Sequence, residues 1–314
     1  MSLHPTPANP VPEGAVSGFV TTTDGVKIRF ARWRPAVGGR GTVTLLPGRA
    51  EFIEKYFEVV RDLLDRGFAV AILDWRGQGG SQRLLRNARK GHVRRFSDYQ
   101  LDLEAFGRQV LLPDCPAPHF ALAHSMAGAI LLHGILDGRR WFDRVVLCAP
   151  MLEIGLVRQR RLARAAATTL STAGFARAFL PGGGPTAVTE LPFEGNLVTS
   201  DPERYARTAQ ITAAVPELGL GAPTIGWVHQ AYLAMDHLRA PDILRQIRQP
   251  LLMIAAGNER VVCNVAIEHM ASRLIAGAYV TVPAGRHELL MERDIFRAQF
   301  WAAFDAFIPG SPLV

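Results

Sequence analysis

With 314 residues, 48% of them hydrophobic and 20% charged, the chain suits one elaborated domain with a sizeable core and excludes a disordered or fibrous architecture. The formal net charge of +7 comes almost entirely from arginine, a balance open to nucleic acid, anionic membrane or acidic substrate. No nucleic-acid module is present, however, and the aromatics do not interleave with the arginines as a stacking platform requires.

Residues 1–14 are proline-rich, lack a basic stretch leading into an apolar run, and read as a loose tail rather than a signal peptide. Residues 19–33 predict a hairpin turning at Asp24-Gly25. A buried strand over 41–48 stops at Pro47-Gly48, a helix over 53–67 stops at Gly67, and the continuous apolar run 68–75 suits a parallel strand buried on both faces. A helix near 97–111, a strand over 119–124, a helix over 126–137 and a strand over 144–150 continue the alternation. After residue 240 it resumes with strands over 250–257 and 278–285 and helices near 264–275 and 292–307. The pattern predicts an α/β fold with a doubly wound, mostly parallel sheet. Residues 1–150 and 241–314 form its core, and 151–240 a mainly helical cap over the strand ends, where open α/β sheets bind ligands.

Cys115, Cys148 and Cys263 show no paired spacing, which points to a reducing compartment and no metal site. No apolar stretch reaches bilayer length. The expectation is a soluble, cytoplasmic protein, with peripheral contact to an anionic inner membrane face left open and the oligomeric state undetermined.

Ser125 lies in Ala123-His124-Ser125-Met126-Ala127, directly after a strand and before a helix. A nucleophile on a strained strand-to-helix turn needs this context, with small residues two before and two after. The other use of a serine there is to cap the helix. His287, in Gly285-Arg286-His287-Glu288 beyond the last strand, can take the serine proton and return it to a leaving group. Glu259, on the loop after the preceding strand, is the candidate acid that holds the histidine's tautomer. Asp242 is its rival, poorly placed before that strand. The chain order Ser, acid, His is that of α/β-hydrolases. An oxyanion hole needs two main-chain N–H donors, for which Met126 and Arg49 are the candidates, leaving the Arg49 side chain free for another task.

These segments together resemble the lysophospholipase and monoacylglycerol lipase branch of the α/β-hydrolases, closest to the bacterial lysophospholipase type: LLPGRAEFIEKY, LDWRGQGGS, GHVRRFSDYQLDLEAF, ALAHSMAG, NERVV and GRHELLME. The resemblance implies cofactor-free hydrolysis of an acyl ester on a glycerol backbone. It also implies contact of the polar loop after the oxyanion strand, Arg49 (main chain), Glu51 and Lys55, with the headgroup. The chain departs from many relatives in Pro47 where they carry histidine, in Ala123 and Ala127 where elbow glycines are usual, and in Glu259 where aspartate is commoner. The same machinery could cleave an amide or transfer the acyl group, and an altered elbow also fits a hydrolase-fold binding protein without activity.

Other residues have plainer readings. Asp74 organises its loop through backbone N–H groups, His124 packs within the elbow, and His92 braces a loop. Gly182-Gly183-Gly184 is a turn without the features of a phosphate loop. Arg158, Arg160, Arg161 and Arg164 form a solvated face more readily than a lipid-docking one. Leu156, Leu162, Phe175, Phe179, Leu180 and Trp227 belong to an acyl pocket or to the cap's own core.

Overall fold

Eight strands form one sheet among the described residues, which are 3–36, 38–157 and 159–310 of this computed structural model. They are β1 (Val16–Thr21), β2 (Lys27–Trp33), β3 (Thr42–Leu46), β4 (Ala69–Leu73), β5 (His119–His124), β6 (Arg144–Cys148), β7 (Leu251–Ala256) and β8 (Gly277–Val282). Their order across the sheet is β1-β2-β4-β3-β5-β6-β7-β8. The first hairpin and the β2–β4 pair are antiparallel, and every later pair is parallel.

Alternation along the strands divides the core between the two faces. In β6, Val145 and Leu147 join one apolar cluster while Val146 and Cys148 join the other. The first cluster takes in Ile130 and Leu132 of helix Met126–Leu136 and Ala231 and Met235 of helix Ile225–Leu238. The second takes in Val60 and Leu63 of helix Phe57–Asp65 and Phe300 and Phe304 of helix Asp294–Phe307. Helices thus cover both faces, which is why the central strands read as unbroken apolar runs.

Strand order reverses around β3, whose neighbours are β4 and β5. A crevice opens at such a switch point beyond the carboxyl ends of the strands. The Arg49 loop after β3 and Ser125 after β5 both stand at this edge.

Between β6 and β7 the chain leaves the sheet to form helices Arg160–Leu170, Pro202–Ala214 and Ile225–Leu238 with short turns. Glu58 ties this excursion to the core. It accepts from Arg204 Nη2 at 2.6 Å and Nε at 2.9 Å, from Arg297 Nη1 at 3.1 Å, and also from Arg207. No helix among the described residues is long and apolar enough to cross a membrane.

The N-terminal segment differs from the expected loose tail. Leu3 is buried in the second cluster, Asn9 donates to the Glu54 carbonyl at 2.8 Å, and Trp33 donates its indole N–H to Pro12 O at 3.1 Å. A proline-rich stretch offers carbonyls that nothing in its own segment occupies, so it can satisfy buried donors of the core without forming regular structure.

Candidate active site

Ser125 has φ 51 and ψ −115, a conformation that side-chain-bearing residues adopt only when their surroundings impose it. Its N–H donates to Cys148 O at 3.0 Å, and its carbonyl accepts from Gly128 N at 3.0 Å and Met151 N at 2.9 Å. Ala123 and Ala127 are wholly buried beside this turn. The hydroxyl makes no cap bond to the helix that follows. It stands 3.0 Å from His287 Nε2 instead.

His287 lies just beyond β8, and its Nδ1 is 2.8 Å from Glu259 Oε2. A carboxylate only accepts, so the Nδ1 proton points at Glu259 and the Nε2 lone pair at Ser125. The other carboxylate oxygen, Oε1, accepts from Val261 N at 2.7 Å and Val262 N at 3.2 Å. Burial pushes the Glu259 carboxyl up, but His287 and these two amides outweigh it and hold the group below its ordinary value. Asp242 lies before β7, on the far side of that strand from the loop that carries Glu259.

Met126 opens its helix, whose first amides have no intrahelical acceptor. Arg49 follows β3 through Pro47-Gly48. Its loop is clamped by Gln78, which donates to Gly48 O at 2.8 Å and Glu51 O at 3.2 Å and accepts from Ala50 N at 3.3 Å. Gln78 did not stand out in the sequence; the glycine-rich turn after a strand, Gly77-Gln78-Gly79-Gly80, is the signal that could have found it. Asp74 organises that turn as expected, accepting from Ile53 N at 2.9 Å, Gly80 N at 2.7 Å and Arg29 Nε at 2.8 Å.

The Arg49 side chain reaches the segment beyond β6, donating to Gly221 O and lying over the Trp227 ring at 5.6 Å. Its Nε is buried without a hydrogen-bond partner, and no carboxylate lies within 4.0 Å of it among the described residues. Burial with so little compensation pushes the guanidinium down to about 10.

Glu51 and Lys55 are buried and bound to each other. Lys55 Nζ lies 2.9 Å from Glu51 Oε1 and 2.6 Å from Glu288 Oε1. Glu51 Oε2 accepts from Tyr56 OH at 2.7 Å and from Gly48 N, and stands 3.1 Å from His124 Nδ1. His124 is therefore packed in the elbow as expected, but within a charged cluster. Lys55 does not occupy a solvated helix face.

Ser125, His287, Glu51, Lys55 and Arg49 all line one cavity of about 920 Å³. Most of its remaining wall is apolar, including Leu156, Leu170, Leu180, Trp227 and Val228. Leu162 and Phe175, by contrast, face solvent. Arg160 pairs with Glu153 and Arg164 with Asp236, Arg161 is exposed, and Arg158 lies outside the described residues. His92 braces its loop through Thr224 Oγ1 at 2.9 Å. No cluster of metal-ligating side chains occurs among the described residues.

Residues 39–294 match the Hydrolase_4 family, described as serine aminopeptidase, S33. The chain belongs to this family of α/β-hydrolases. It is 34% identical over 287 residues to lysophospholipase L2 of Escherichia coli strain K12, a match covering 88% of this chain and 83% of that one. The fold is similar to that of a soluble variant of Saccharomyces cerevisiae monoglyceride lipase, with TM-score 0.71, 19% identity and coverage of 91% and 93%. It is also similar to that of a thermostable Bacillus coagulans carboxyl esterase, with TM-score 0.73, 18% identity and coverage of 96% and 100%. The chain is a serine ester hydrolase of the lysophospholipase-like branch.

Proposed function

We propose that this enzyme hydrolyses the acyl ester of a lysophospholipid. The observation that carries the reading is the Ser125–His287–Glu259 line opening onto a cavity of about 920 Å³, near the top of the ~300–1,000 Å³ range of ligand pockets. Ser125 attacks the ester carbonyl as His287 takes its proton, and Glu259 supports the imidazolium. The main-chain N–H groups of Met126 and Arg49 hold the oxyanion. The alcohol departs with the proton from His287, and water then deacylates Ser125 through the same base.

One feature favours a phosphate-bearing headgroup over plain glycerol, and a second serves the glycerol common to both. Arg49 is a buried cation in the cavity wall with no carboxylate beside it, and a buried charge gains most from an ion that completes its pairing. Lys55 commits two N–H donors to Glu51 and Glu288, which leaves one for the glycerol oxygens. Residues 151–240 act as the cap that shields the acyl chain.

The test is turnover of lysophosphatidylcholine, the monoacylglycerol of the same chain length and an aminoacyl amide, by wild type and Ser125→Ala, with fluorophosphonate labelling. The expected result is ester turnover abolished in Ser125→Ala, lysophospholipid preferred, and label on Ser125. Folded wild type that neither labels nor turns over an ester overturns the reading; preference for monoacylglycerol overturns its headgroup part.

A further inference from the structure

His124 stands between two groups that can only accept hydrogen bonds. Its Nδ1 is 3.1 Å from the Glu51 carboxylate, and its Nε2 is 3.2 Å from the main-chain carbonyl of His287. A neutral imidazole carries one N–H. Either tautomer would satisfy one acceptor and aim a lone pair at the other, whereas the imidazolium donates to both. Both contacts are buried, where an acceptor facing an acceptor is most unfavourable.

The charges around His124 lead to the same state. From the turn after β3 it faces Glu51, Lys55 and Tyr56; from the loop after β8 it faces Glu288 and the His287 ring, 4.8 Å away between centroids. Cys148 lies at the end of the neighbouring strand, and Glu259 beyond His287 pairs with that residue. Glu51 and Glu288 share a single lysine. The cluster is neutral only when His124 supplies the second positive charge. Burial opposes that charge, but Glu51, through its charge and hydrogen bond, and Glu288 outweigh it and raise His124 above the ordinary histidine value.

We infer that His124 is held as an imidazolium through the working pH range and is the positioning residue for His287, pinning the base's own main-chain carbonyl so that its ring spans Glu259 and Ser125. The inference rests on the reading of His287 as the base. At alkaline pH, loss of the His124 proton replaces one of its two hydrogen bonds by a repulsive contact, and the His287 loop relaxes. Activity therefore falls on the alkaline side through a group that acts by way of His287 and exchanges no proton with the substrate.

Nitrogen-15 NMR of histidine-labelled enzyme reads the protonation state without reference to activity. Both His124 nitrogens are expected to be protonated at neutral pH, with the signals assigned by their absence from His124→Gln. They are also expected to titrate at lower pH in Glu51→Gln, where the neutral amide no longer retains the proton. The alkaline limb of kcat should move to lower pH by the same interval in Glu51→Gln. In His124→Gln, which has no proton to lose there, the limb should vanish, with kcat lowered about 100-fold, the scale of a misplaced catalytic group. If His124→Gln does not fold, the Glu51→Gln comparison still assigns the signals. A neutral His124 at the pH of full activity overturns the inference even if ester turnover is normal. An alkaline limb unmoved in Glu51→Gln overturns it as well.

Discussion

Glu259 holds His287 with one carboxylate oxygen, at 2.8 Å, and its own loop with the other, through the amides of Val261 and Val262. The second grip fixes the reach of a side chain one methylene longer than aspartate. In Glu259→Gln the amide can present a donor to Nδ1 and favour the wrong tautomer. The expected loss in kcat is about 10⁴-fold with little change in KM. Steady-state kinetics check this, and a loss under tenfold would remove Glu259 from the relay.

Arg49 should sort substrates by charge. Replacing it with Met is expected to lower the ratio of kcat/KM for lysophosphatidylcholine over monoacylglycerol by about 10–100-fold, the scale of a charge-assisted hydrogen bond. Arg49→Lys should recover part of the ratio, since lysine keeps the charge but not the fork. The ratio cancels any shared effect on the neighbouring main-chain amide. An unchanged ratio in Arg49→Met means that the guanidinium serves only to hold Gly221 and Trp227.

Asp74 occupies the space above Gly79, where a Cβ would lie 2.3 Å from its carboxyl carbon, and Gly79 has φ +53. Gly79→Ala must therefore displace the side chain that binds Ile53, Gly80 and Arg29. The expected destabilisation is about 2–4 kcal/mol, measured as a shift of the denaturant midpoint. Gly25→Ala serves as the control: it has similar positive φ but open space around it, so the difference between the two isolates the displacement.

Acid should loosen the tether at Glu58. Burial raises its carboxyl, but Arg204, Arg297 and Arg207 prevail and hold it down to about 2. The native value is depressed, so the contribution is complete above the unfolded value of about 4.3 and is lost as pH falls towards 2. Hydrogen exchange in helix Pro202–Ala214, taken relative to the intrinsic amide rate at each pH, is expected to quicken over that interval in wild type. In Glu58→Gln it should be fast already at pH 6. Equal protection in both proteins at pH 6 would contradict a tethering role.

The sheet was legible because its central strands are apolar on both faces and punctuated by Pro-Gly or a single glycine, as at Pro47-Gly48 and Gly67. The Ser125, Glu259 and His287 positions were legible because each sits just past a predicted strand end. The buried cluster was not. Glu51 and Lys55 are distant in sequence from His124 and Glu288, and each looks like an ordinary polar residue until the β3, β5 and β8 ends meet. The packed N-terminus was missed for a related reason: the Pro12 carbonyl finds its donor in Trp33 and the Asn9 amide its acceptor in the Glu54 carbonyl, partners that no local pattern announces.

The strained turn at Ser125 is fastened largely from outside its own strand. Cys148 accepts its amide proton, and Met151 donates to its carbonyl. Met151 is also where the chain departs from the sheet towards the helices above the cavity. The segment that leads into those helices and the segment that anchors the Ser125 turn are thus one and the same, so a substitution at Met151 acts on both at once.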